Sequence, residues 1–389
     1  MSAPVDALVV GAGPAGAATA AALAAAGRSV VLLEASHHPR PKACAEYASP
    51  MIAEELTRLG LAEEAWQADA VPLAGMRVIR GADAVDVRYA DARGPRPAWG
   101  LDRTRFDATL AQHAALQGAR YLEGAAFIDA ERTNGSWRVT LRTSGGDERM
   151  AARWIIGADG ARSRVARRLG VERPVRVPRR LGLIAHYEGH PDLVARGEMH
   201  VGAEHYVGLA PLAGGRLNVG MALPVGARGG AQERFEAAIA SLPAVAARLA
   251  GRRRLTPIRG ASPIGHRVAR AAGPGWMLVG DAAGFIDPFT GEGIFRALRS
   301  ARAATTALIS DDEDADARYL AERRAAFGAK DVLTWTIQGL LAAPPVLGYA
   351  LRRLASRDAL ALRLGSALGD CRPATDALSP LFLARVLRP

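Results

Sequence analysis

The hydrophobic and polar positions of the first thirty-odd residues predict a strand, a helix and a second strand. An uncharged run, Ala7 to Val10, is short enough for a buried parallel strand, and an alanine-rich segment that Gly27 closes comes after it. The next apolar run, Ser29 to Leu33, leads into Glu34. This order is typical of an α/β domain with a parallel sheet.

The middle of the chain alternates with the period of two that strands show. Alternation over residues 75–89, and in three segments between residues 181 and 224, predicts strands that are joined by turns. Strands joined by turns rather than helices indicate an antiparallel sheet, here inserted into the first architecture. Glycine pairs predict hairpins at Gly145-Gly146 and at Gly214-Gly215.

Helical periodicity predicts helices over residues 50–59, 101–116 and 231–242, with Asp102 as the cap of the second. A last helical lobe begins near residue 311. The chain is therefore assigned to the α/β class with three units: a nucleotide-binding domain, an inserted sheet domain and a C-terminal helical lobe. Their ranges are residues 1–75, 100–180 and 255–310 for the first unit, 76–99 and 181–254 for the second, and 311–389 for the third.

One stretch raises the question of a membrane. Residues 332–351 carry no charge, and Arg352 and Arg353 follow immediately, as they do at the inner flank of a spanning helix. Pro344 and Pro345 argue against a span because they remove backbone donors and bend the helix. We predict two packed helices instead, lying on a lipid surface or lining an apolar pocket.

The glycines after the first strand have separate physical roles. Gly11 allows a tight turn, Gly13 lets the backbone approach a pyrophosphate, and Gly16 lets the helix lie close to the sheet. Glu34, about 20 residues later, can accept the ribose hydroxyls of an adenine dinucleotide and would repel a 2′-phosphate. FAD or NAD therefore fits and NADP does not. The alternative is a packing cluster of glycines in an ordinary α/β domain.

Composition narrows the choice of partners and compartment. The net charge of +11 comes almost wholly from arginine, without blocks of like charge or interleaved aromatics, so nucleic-acid binding is not supported. Two cysteines, Cys44 and Cys371, cannot form a disulfide framework, and a first strand near residue 5 leaves no room for a targeting segment. A cytoplasmic protein is expected, with peripheral contact to the membrane as the alternative. No metal-ligand motif occurs, so no metal site is predicted.

Three separated motifs together resemble a known family. GAGPAG with Glu34, GADGARS at residues 157–163 and GDAAGFIDPFTGEG at residues 280–293 resemble the three fingerprints of FAD enzymes with the p-hydroxybenzoate hydroxylase fold. The resemblance implies a Rossmann-like FAD domain with an antiparallel-sheet substrate domain. It also implies bound FAD and NAD(P)H as a transient reductant.

The resemblance assigns the cofactor contacts residue by residue. The ADP half is expected at Gly11, Gly13, Gly16 and Glu34, the pyrophosphate region at Asp159 and Gly160, and the ribityl chain at Asp281. The flavin ring is expected at Gly291, Gly293 and Ile294, with Arg103 as a further contact. The remaining expected cofactor contacts are Pro14, Ala15, Ala35, Lys42, Cys44, Ala126, Gly280 and Pro288.

Within this superfamily the chain is most similar to the geranylgeranyl-reductase-like branch. The similarity lies in Lys42-Ala43-Cys44, in residues 206–211 and in Asn218-Val219-Gly220. Two departures stand out. Where the branch has Y-x-W-x-F-P this chain has Gly208 and Ala210 in place of the second and third aromatics, and where it has Cys-Gly-Gly this chain has Cys44-Ala45-Glu46.

Two chemistries use the same cofactor. The first is a monooxygenase that uses NAD(P)H and O₂ to oxygenate a hydrophobic or aromatic small molecule through a flavin hydroperoxide. The second is an isoprenoid reductase that saturates C=C bonds by hydride transfer from the flavin, with a proton from an acid or thiol. The missing aromatics weaken a prenyl pocket and favour the monooxygenase. A flavoprotein that acts only as a carrier or sensor is a third alternative.

The candidate catalytic residues are Cys44, Glu46 and Tyr206. Each has an ordinary alternative, since a lone cysteine is commonly a small buried hydrophobe. The expected partner is a hydrophobic small molecule, and the protein is expected to be a monomer or a homodimer.

Overall fold

The computed structural model describes residues 3–190, 193, 195–226, 228–310 and 314–388. The first three positions of the predicted lobe, 311–313, lie outside the described residues.

The helices are numbered along the chain. They are α1 (Pro14–Ala25), α2 (Ile52–Arg58), α3 (Glu63–Gln67), α4 (Arg103–Leu116), α5 (Arg164–Arg168), α6 (Ala231–Ala240), α7 (Pro243–Leu249), α8 (Gly293–Ile309), α9 (Ala315–Leu341), α10 (Pro344–Ala355), α11 (Asp358–Leu368), α12 (Thr375–Leu378) and α13 (Pro380–Leu387). Short 3₁₀ turns cover Gly160–Arg162, Gly280–Ala283 and Pro288–Thr290.

The strands are numbered in the same way. They are β1 (Val5–Val10), β2 (Val30–Leu33), β3 (Tyr47–Ala48), β4 (Ala70–Leu73), β5 (Met76–Arg80), β6 (Asp83–Val87), β7 (Ala90–Asp91), β8 (Gly94–Pro95), β9 (Ala98–Leu101), β10 (Arg120–Leu122), β11 (Ala126–Thr133), β12 (Ser136–Thr143), β13 (Gly146–Gly157), β14 (Glu172–Arg173), β15 (Arg180–Glu188), β16 (Gly197–Val201), β17 (Tyr206–Leu212), β18 (Arg216–Pro224), β19 (Arg259–Ala261), β20 (Arg267–Val268), β21 (Ala272–Gly273) and β22 (Trp276–Leu278).

The first sheet carries the nucleotide-binding pattern. Its order is β10-β2-β1-β13-β12-β11, with β22 beside the end of β13, and β10, β2, β1, β13 and β22 run parallel. The predicted hairpin at Gly145-Gly146 joins β12 to β13. Because parallel strands end at the same edge, Gly11, Glu34, Ala158 and Gly280 all follow strands at the carboxyl edge of this sheet.

The second sheet is the predicted inserted sheet. Its order is β19-β15-β18-β17-β16-β5-β6, and its neighbours are antiparallel except β16 and β5. The turn at Gly214-Gly215 joins β17 to β18, as predicted. The sequence reasoning missed β16, and β19 joins this sheet although it lies in the range assigned to the first unit. The domain boundaries stay a prediction.

Strand alternation divides the faces of the second sheet. On β17, Val207 and Leu209 are buried in a core with Phe235 of α6 and Val245 of α7, whereas Tyr206 and Gly208 line a cavity on the opposite face. This is the period of two expected for a sheet that is covered on both sides.

The C-terminal helices lie against the free end of the second sheet. Helices α10 and α11 pack on β6, and α9 packs on α8. Helix α9 ends at Leu341 and α10 begins at Pro344, which confirms the predicted pair of helices, because proline is tolerated in a first helical turn. In the part of the chain that the structure describes, no helix is both long and apolar enough to cross a bilayer. The predicted fold class is confirmed.

Candidate functional site

A cavity of about 610 Å³ lies where the carboxyl edge of the first sheet meets the inner face of the second. Gly13, Asp159 and Asp281 line it from the first sheet, and Ile184 and Met221 line it from the second. The cavity therefore joins a nucleotide-binding edge to an apolar sheet face, which is where ligands bind in open α/β sheets.

The glycine loop after β1 has the local geometry that the sequence predicts. Gly11 has φ +101°, and a Cβ on Gly16 would lie 1.8 Å from the Gly11 carbonyl oxygen, so both positions exclude side chains. Gly13 is different, because a Cβ there would meet no atom within 4 Å. Gly13 is the N-cap of α1 and offers no side-chain cap. The first amides of α1 thus face open space in which an anionic group can bind.

Glu34 is surrounded by donors at the far end of this loop. Its carboxylate accepts hydrogen bonds from the Ala12 amide (3.2 Å), the Ser36 amide (3.1 Å) and the Arg40 guanidinium (3.0 Å). The Ala125 amide donates to the Glu34 carbonyl, which places Ala126 beside it. Arg40 is a neighbour that the sequence reasoning missed. The ribose contact predicted for Glu34 stays a prediction.

The two motif aspartates are used differently. The Asp159 carboxylate accepts from the Ser163 hydroxyl (2.6 Å) and the Arg164 amide (2.6 Å), so it caps the turn into α5. This is the capping role that carboxylates commonly have at helix starts. Asp281 lines the cavity, and among the described residues its carboxylate has no hydrogen-bond or ion-pair partner. Asp281 is therefore free to accept bonds from the hydroxyls of a ligand.

The third motif forms a turn into α8. Gly291 has φ +69°, and a Cβ there would lie 2.7 Å from the Tyr47 ring, so a side chain is excluded on both counts. Gly293 begins α8, and its N-cap residue, Glu292, makes no side-chain cap bond. The amides at the start of α8 consequently face the cavity wall formed by Gly291, Gly293 and Ile294.

The structure brings most of the sequence-predicted site residues to this cavity. Those that line it are Gly13, Pro14, Ala15, Lys42, Cys44, Arg103, Asp159, Gly160, Tyr206, Gly280, Asp281, Pro288, Gly291, Gly293 and Ile294. Those that do not line it are Gly11, Gly16, Glu34, Ala35, Glu46 and Ala126.

Cys44 lies on the cavity wall between two donors. Its Sγ accepts from Arg103 Nη1 at 3.3 Å and from the Glu46 amide at 3.4 Å. Arg103 is buried and is held by both Asp107 carboxylate oxygens at 2.7 and 2.9 Å. Asp107 lies one helical turn after Arg103, and this i,i+4 spacing was the signal that could have revealed it. The guanidinium is thereby fixed in the direction of the sulfur.

Glu46 lies beside Cys44 but behind the cavity wall. It is buried with φ +56°, an uncommon conformation for a residue with a side chain. Its carboxylate accepts from His186 Nε2 (2.6 Å), Asn218 Nδ2 (2.7 Å) and the Arg103 amide (3.0 Å). Sequence reasoning gave His186 and Asn218 no role, although they face each other across β15 and β18. Glu46 positions its neighbours from outside the cavity.

Tyr206 contacts the cavity with its ring and a buried carboxyl with its hydroxyl. The hydroxyl donates to Asp287 at 2.6 Å, and Arg180 Nε lies 3.6 Å from the other carboxyl oxygen. Burial raises the pKa of both Tyr206 and Asp287. Asp287 was missed although it belongs to the third motif, where the sequence reasoning used the glycines and the proline.

These residues fit FAD. The open space at Gly13 and the unpartnered Asp281 carboxylate lie on one cavity with the uncapped starts of α1 and α8. Together they offer amides for a pyrophosphate, an acceptor for a polyol chain and a positive helix end for an electron-rich ring.

Comparisons with known proteins agree with this fit. The family profile described as FAD binding domain matches residues 4–327. A menaquinone reductase of Mycolicibacterium smegmatis is 32% identical, over 80% of this chain and 78% of the relative. Digeranylgeranylglycerophospholipid reductase 1 of Methanothermobacter thermautotrophicus is 30% identical, over 82% of this chain and 81% of the relative.

The fold is also shared with solved structures. A flavoprotein/dehydrogenase of Cytophaga hutchinsonii superposes with a TM-score of 0.86 at 22% identity, over 98% of this chain and 96% of that chain. A similarity at this identity concerns the fold, whereas the profile match spans most of the sequence. The chain belongs to the FAD binding domain family, and it is an FAD-dependent oxidoreductase.

Proposed function

We propose that this oxidoreductase saturates C=C bonds of an isoprenoid chain. The observation that carries the proposal is the inner face of the second sheet, where Ile184 and Met199 form an apolar floor. Gly208 and Gly220 face each other across β17 and β18 within it and leave the floor open. An apolar floor with a glycine gap suits an elongated hydrocarbon better than a compact polar molecule.

The two missing aromatics are weaker evidence against an isoprenoid pocket than the sequence suggested. Gly208 lines the cavity, but Ala210 does not, so the structure supports a cavity role for one of the two positions. Ile264 and Phe285 extend the apolar wall from outside the second sheet. The relatives support the same direction, because menaquinone and digeranylgeranylglycerophospholipid both carry isoprenoid chains.

When bound and reduced by NAD(P)H, FAD supplies a hydride equivalent. The chain must then supply a proton and exclude water from the reacting carbon. Cys44 is the better placed donor. Its sulfur accepts two N–H bonds, so its own hydrogen is free to point into the cavity. The Tyr206 hydrogen, in contrast, is engaged by Asp287.

In this proposal Cys44 supplies the proton that the reaction needs. One C–H bond forms from the hydride and the other from the thiol proton, while the sulfur keeps the S–H electron pair. The negative sulfur that results lies 3.3 Å from the buried Arg103 guanidinium, which stabilises it until a proton returns. Pro41 and Ala43 beside Cys44 also line the wall.

An anaerobic assay tests the proposal. The photoreduced holoenzyme is incubated anaerobically with menaquinone or a geranylgeranyl lipid, and the masses of the products are measured by mass spectrometry. We expect a gain of two hydrogens for each saturated bond. Oxygen incorporated in air, without saturation under anaerobic conditions, would instead establish the monooxygenase that the sequence favoured.

We further propose that the C-terminal helices contact a lipid surface. Val332, Trp335 and Val346 are exposed on α9 and α10, in the uncharged stretch identified from sequence. Arg352 and Arg353 follow on α10. An exposed tryptophan, with two arginines further along the chain on α10, suits the interface of an anionic membrane, where a lipid substrate would be found.

A further inference from the structure

The turn that lines the cavity before α8 is tied to the C-terminal helices through a buried lysine. Lys330, on α9, is 4% exposed, and its Nζ lies 3.2 Å from the carboxylate of Glu292. Glu292 stands between Gly291 and Gly293 and is also 4% exposed. An ion pair buried to this degree must be satisfied by further bonds to be tolerated.

Those further bonds come from the end of α11. Lys330 Nζ donates to the carbonyls of Ala367 (2.9 Å) and Leu368 (2.7 Å) and to the Asp370 carboxylate (2.8 Å). The last carbonyls of a helix carry partial negative charge, so a cation is favoured there. One ammonium group therefore joins the turn before α8 to α9 and to the end of α11.

The choice of residue type supports a specific role. Lys42 and Lys330 are the two lysines in a chain with 50 lysines and arginines. An ammonium is a compact charge whose three donors point in separate directions, whereas a guanidinium is a flat fork. The site presents two carbonyls and two carboxylates around one point, and an ammonium group suits this arrangement better than a guanidinium.

Neighbouring contacts bind the same elements together. Arg296 of α8 pairs with Asp331 of α9 at 2.5 Å and lies over the Phe327 ring at 4.6 Å. The Thr334 hydroxyl of α9 donates to Glu292 at 3.1 Å. The turn before α8 is consequently held by side chains of the C-terminal helices rather than by the FAD unit alone.

We propose that Lys330 is a positioning residue for FAD: it makes the affinity and the reduction potential of the cofactor depend on the docking of the C-terminal helices. Two physical effects follow from its position. Lys330 holds the turn that lines the cavity, and it neutralises the Glu292 charge at the start of α8. Because FAD gains negative charge on reduction, a Glu292 carboxylate whose remaining ion-pair contact is Arg296 Nη1 at 3.8 Å would oppose that change.

The test compares Lys330→Met with Ser366→Ala as a matched control. The hydroxyl of the buried Ser366 accepts a hydrogen bond from the Ala90 amide at 3.0 Å, so it fastens α11 to a different segment and, among the described residues, has no hydrogen bond to the turn before α8. We expect Lys330→Met to weaken FAD binding by about tenfold or more, a common size of coupling between two sites. We expect the midpoint potential to become more negative, and Ser366→Ala to leave both quantities unchanged.

The double variant Lys330→Met/Glu292→Gln separates charge from fold. Removing the Glu292 carboxylate, which has lost its Lys330 partner, should return the midpoint potential toward the wild-type value. By reciprocity, FAD should slow hydrogen exchange of α11 amides in the wild type and not in Lys330→Met.

Wild-type affinity and potential in a folded Lys330→Met protein would overturn the proposal. So would equal FAD losses in Lys330→Met and Ser366→Ala. Thermal unfolding of the FAD-free proteins identifies a variant that fails to fold. In that case the test is hydrogen exchange of the wild type with and without FAD, and α11 amides that FAD does not slow would overturn the proposal.

Discussion

Cys44 gains its significance from what surrounds it. Its sulfur lies on the cavity wall, with the Arg103 guanidinium and the Glu46 amide as donors. A packing cysteine would instead be enclosed by apolar atoms. The second cysteine, Cys371, packs partly buried in the core under the C-terminal helices. The pair therefore offers a matched comparison within one chain.

Replacing Cys44 by alanine should lower turnover about 100-fold or more while FAD content stays unchanged, since loss of a positioned proton donor commonly has this effect. Steady-state turnover and the flavin-to-protein absorbance ratio measure the two quantities. Cys371→Ala should retain full turnover. If Cys44→Ala turns over like the wild type, the thiol is not the donor.

Asp287 makes stability depend on pH. Burial raises the pKa of this carboxyl above its ordinary value of 3.8, against the lowering effect of Arg180. The native state therefore holds the proton more tightly than the unfolded chain does, and the stabilisation is fully present below pH 3.8. It declines as pH rises through the raised native pKa.

Asp287→Asn should remove this dependence. The free energy of unfolding of the wild type relative to Asp287→Asn should fall as pH rises from about 4 toward neutrality. Urea unfolding at a series of pH values measures it, with Asp86→Asn, an exposed strand carboxylate, as the control. A constant difference across the series would contradict the raised pKa.

The start of α1 shows how two glycines in one turn differ. Gly13 has φ −74° and open space around its Cβ position, whereas a Cβ on Gly16 would overlap the Gly11 carbonyl. The first glycine leaves room for a ligand and the second leaves room for the chain itself. Glycine is thus needed for ligand binding at position 13 and for packing of the chain at position 16.

Gly13→Ala should weaken FAD binding while the FAD-free protein keeps its melting temperature. Gly16→Ala should lower that melting temperature, because the Gly11 backbone must move. Fluorescence titration with FAD and thermal unfolding of the FAD-free proteins separate the two effects. Equal loss of melting temperature in both variants would show that Gly13 also serves packing.

The exposed face of α9 and α10 carries the lipid-contact proposal. Trp335→Asp should reduce sedimentation with vesicles that contain anionic lipid, since it places a charge where the indole would enter the interface. Val225→Asp, which changes an exposed apolar residue in the turn after β18, serves as the control. Absence of sedimentation by the wild type would reject the proposal.

At the scale of the whole molecule, the cavity exists because two sheets meet. The first sheet brings its carboxyl edge, and the second brings the face of Ile184, Met199 and Gly208. Neither sheet encloses the space alone. A change on the second sheet should therefore affect the substrate without affecting the cofactor.

Gly208→Leu should abolish turnover of an isoprenoid substrate and leave FAD affinity unchanged. A Cβ at Gly208 would already lie 3.4 Å from Met199 Cε, so a larger side chain must extend into the cavity. Gly145→Leu, in the turn between β12 and β13, serves as the matched control, because Gly145 has no positive φ and a Cβ there would meet its nearest atom at an ordinary 3.6 Å. Wild-type turnover in Gly208→Leu would place the substrate elsewhere.

Local pattern was enough for much of the fold. The strand periods, the glycine turns and the prolines at residues 344 and 345 act within a few residues, so β1, β17, β18 and the break between α9 and α10 were predictable. The cap at Asp102 was predictable for the same reason, and its carboxylate accepts from the Thr104 amide. Strand β16 was missed because its pattern is short and interrupted.

The sequence by itself determined the glycine loops, the acids placed after strands and hence the FAD-binding class, because each depends on spacing along the chain. Only the tertiary structure decided which distant residues meet. Glu46 with His186 and Asn218, Tyr206 with Asp287, and Glu292 with Lys330 are separated by tens to more than a hundred positions. Their contacts depend on strand register and helix docking, which no local period encodes.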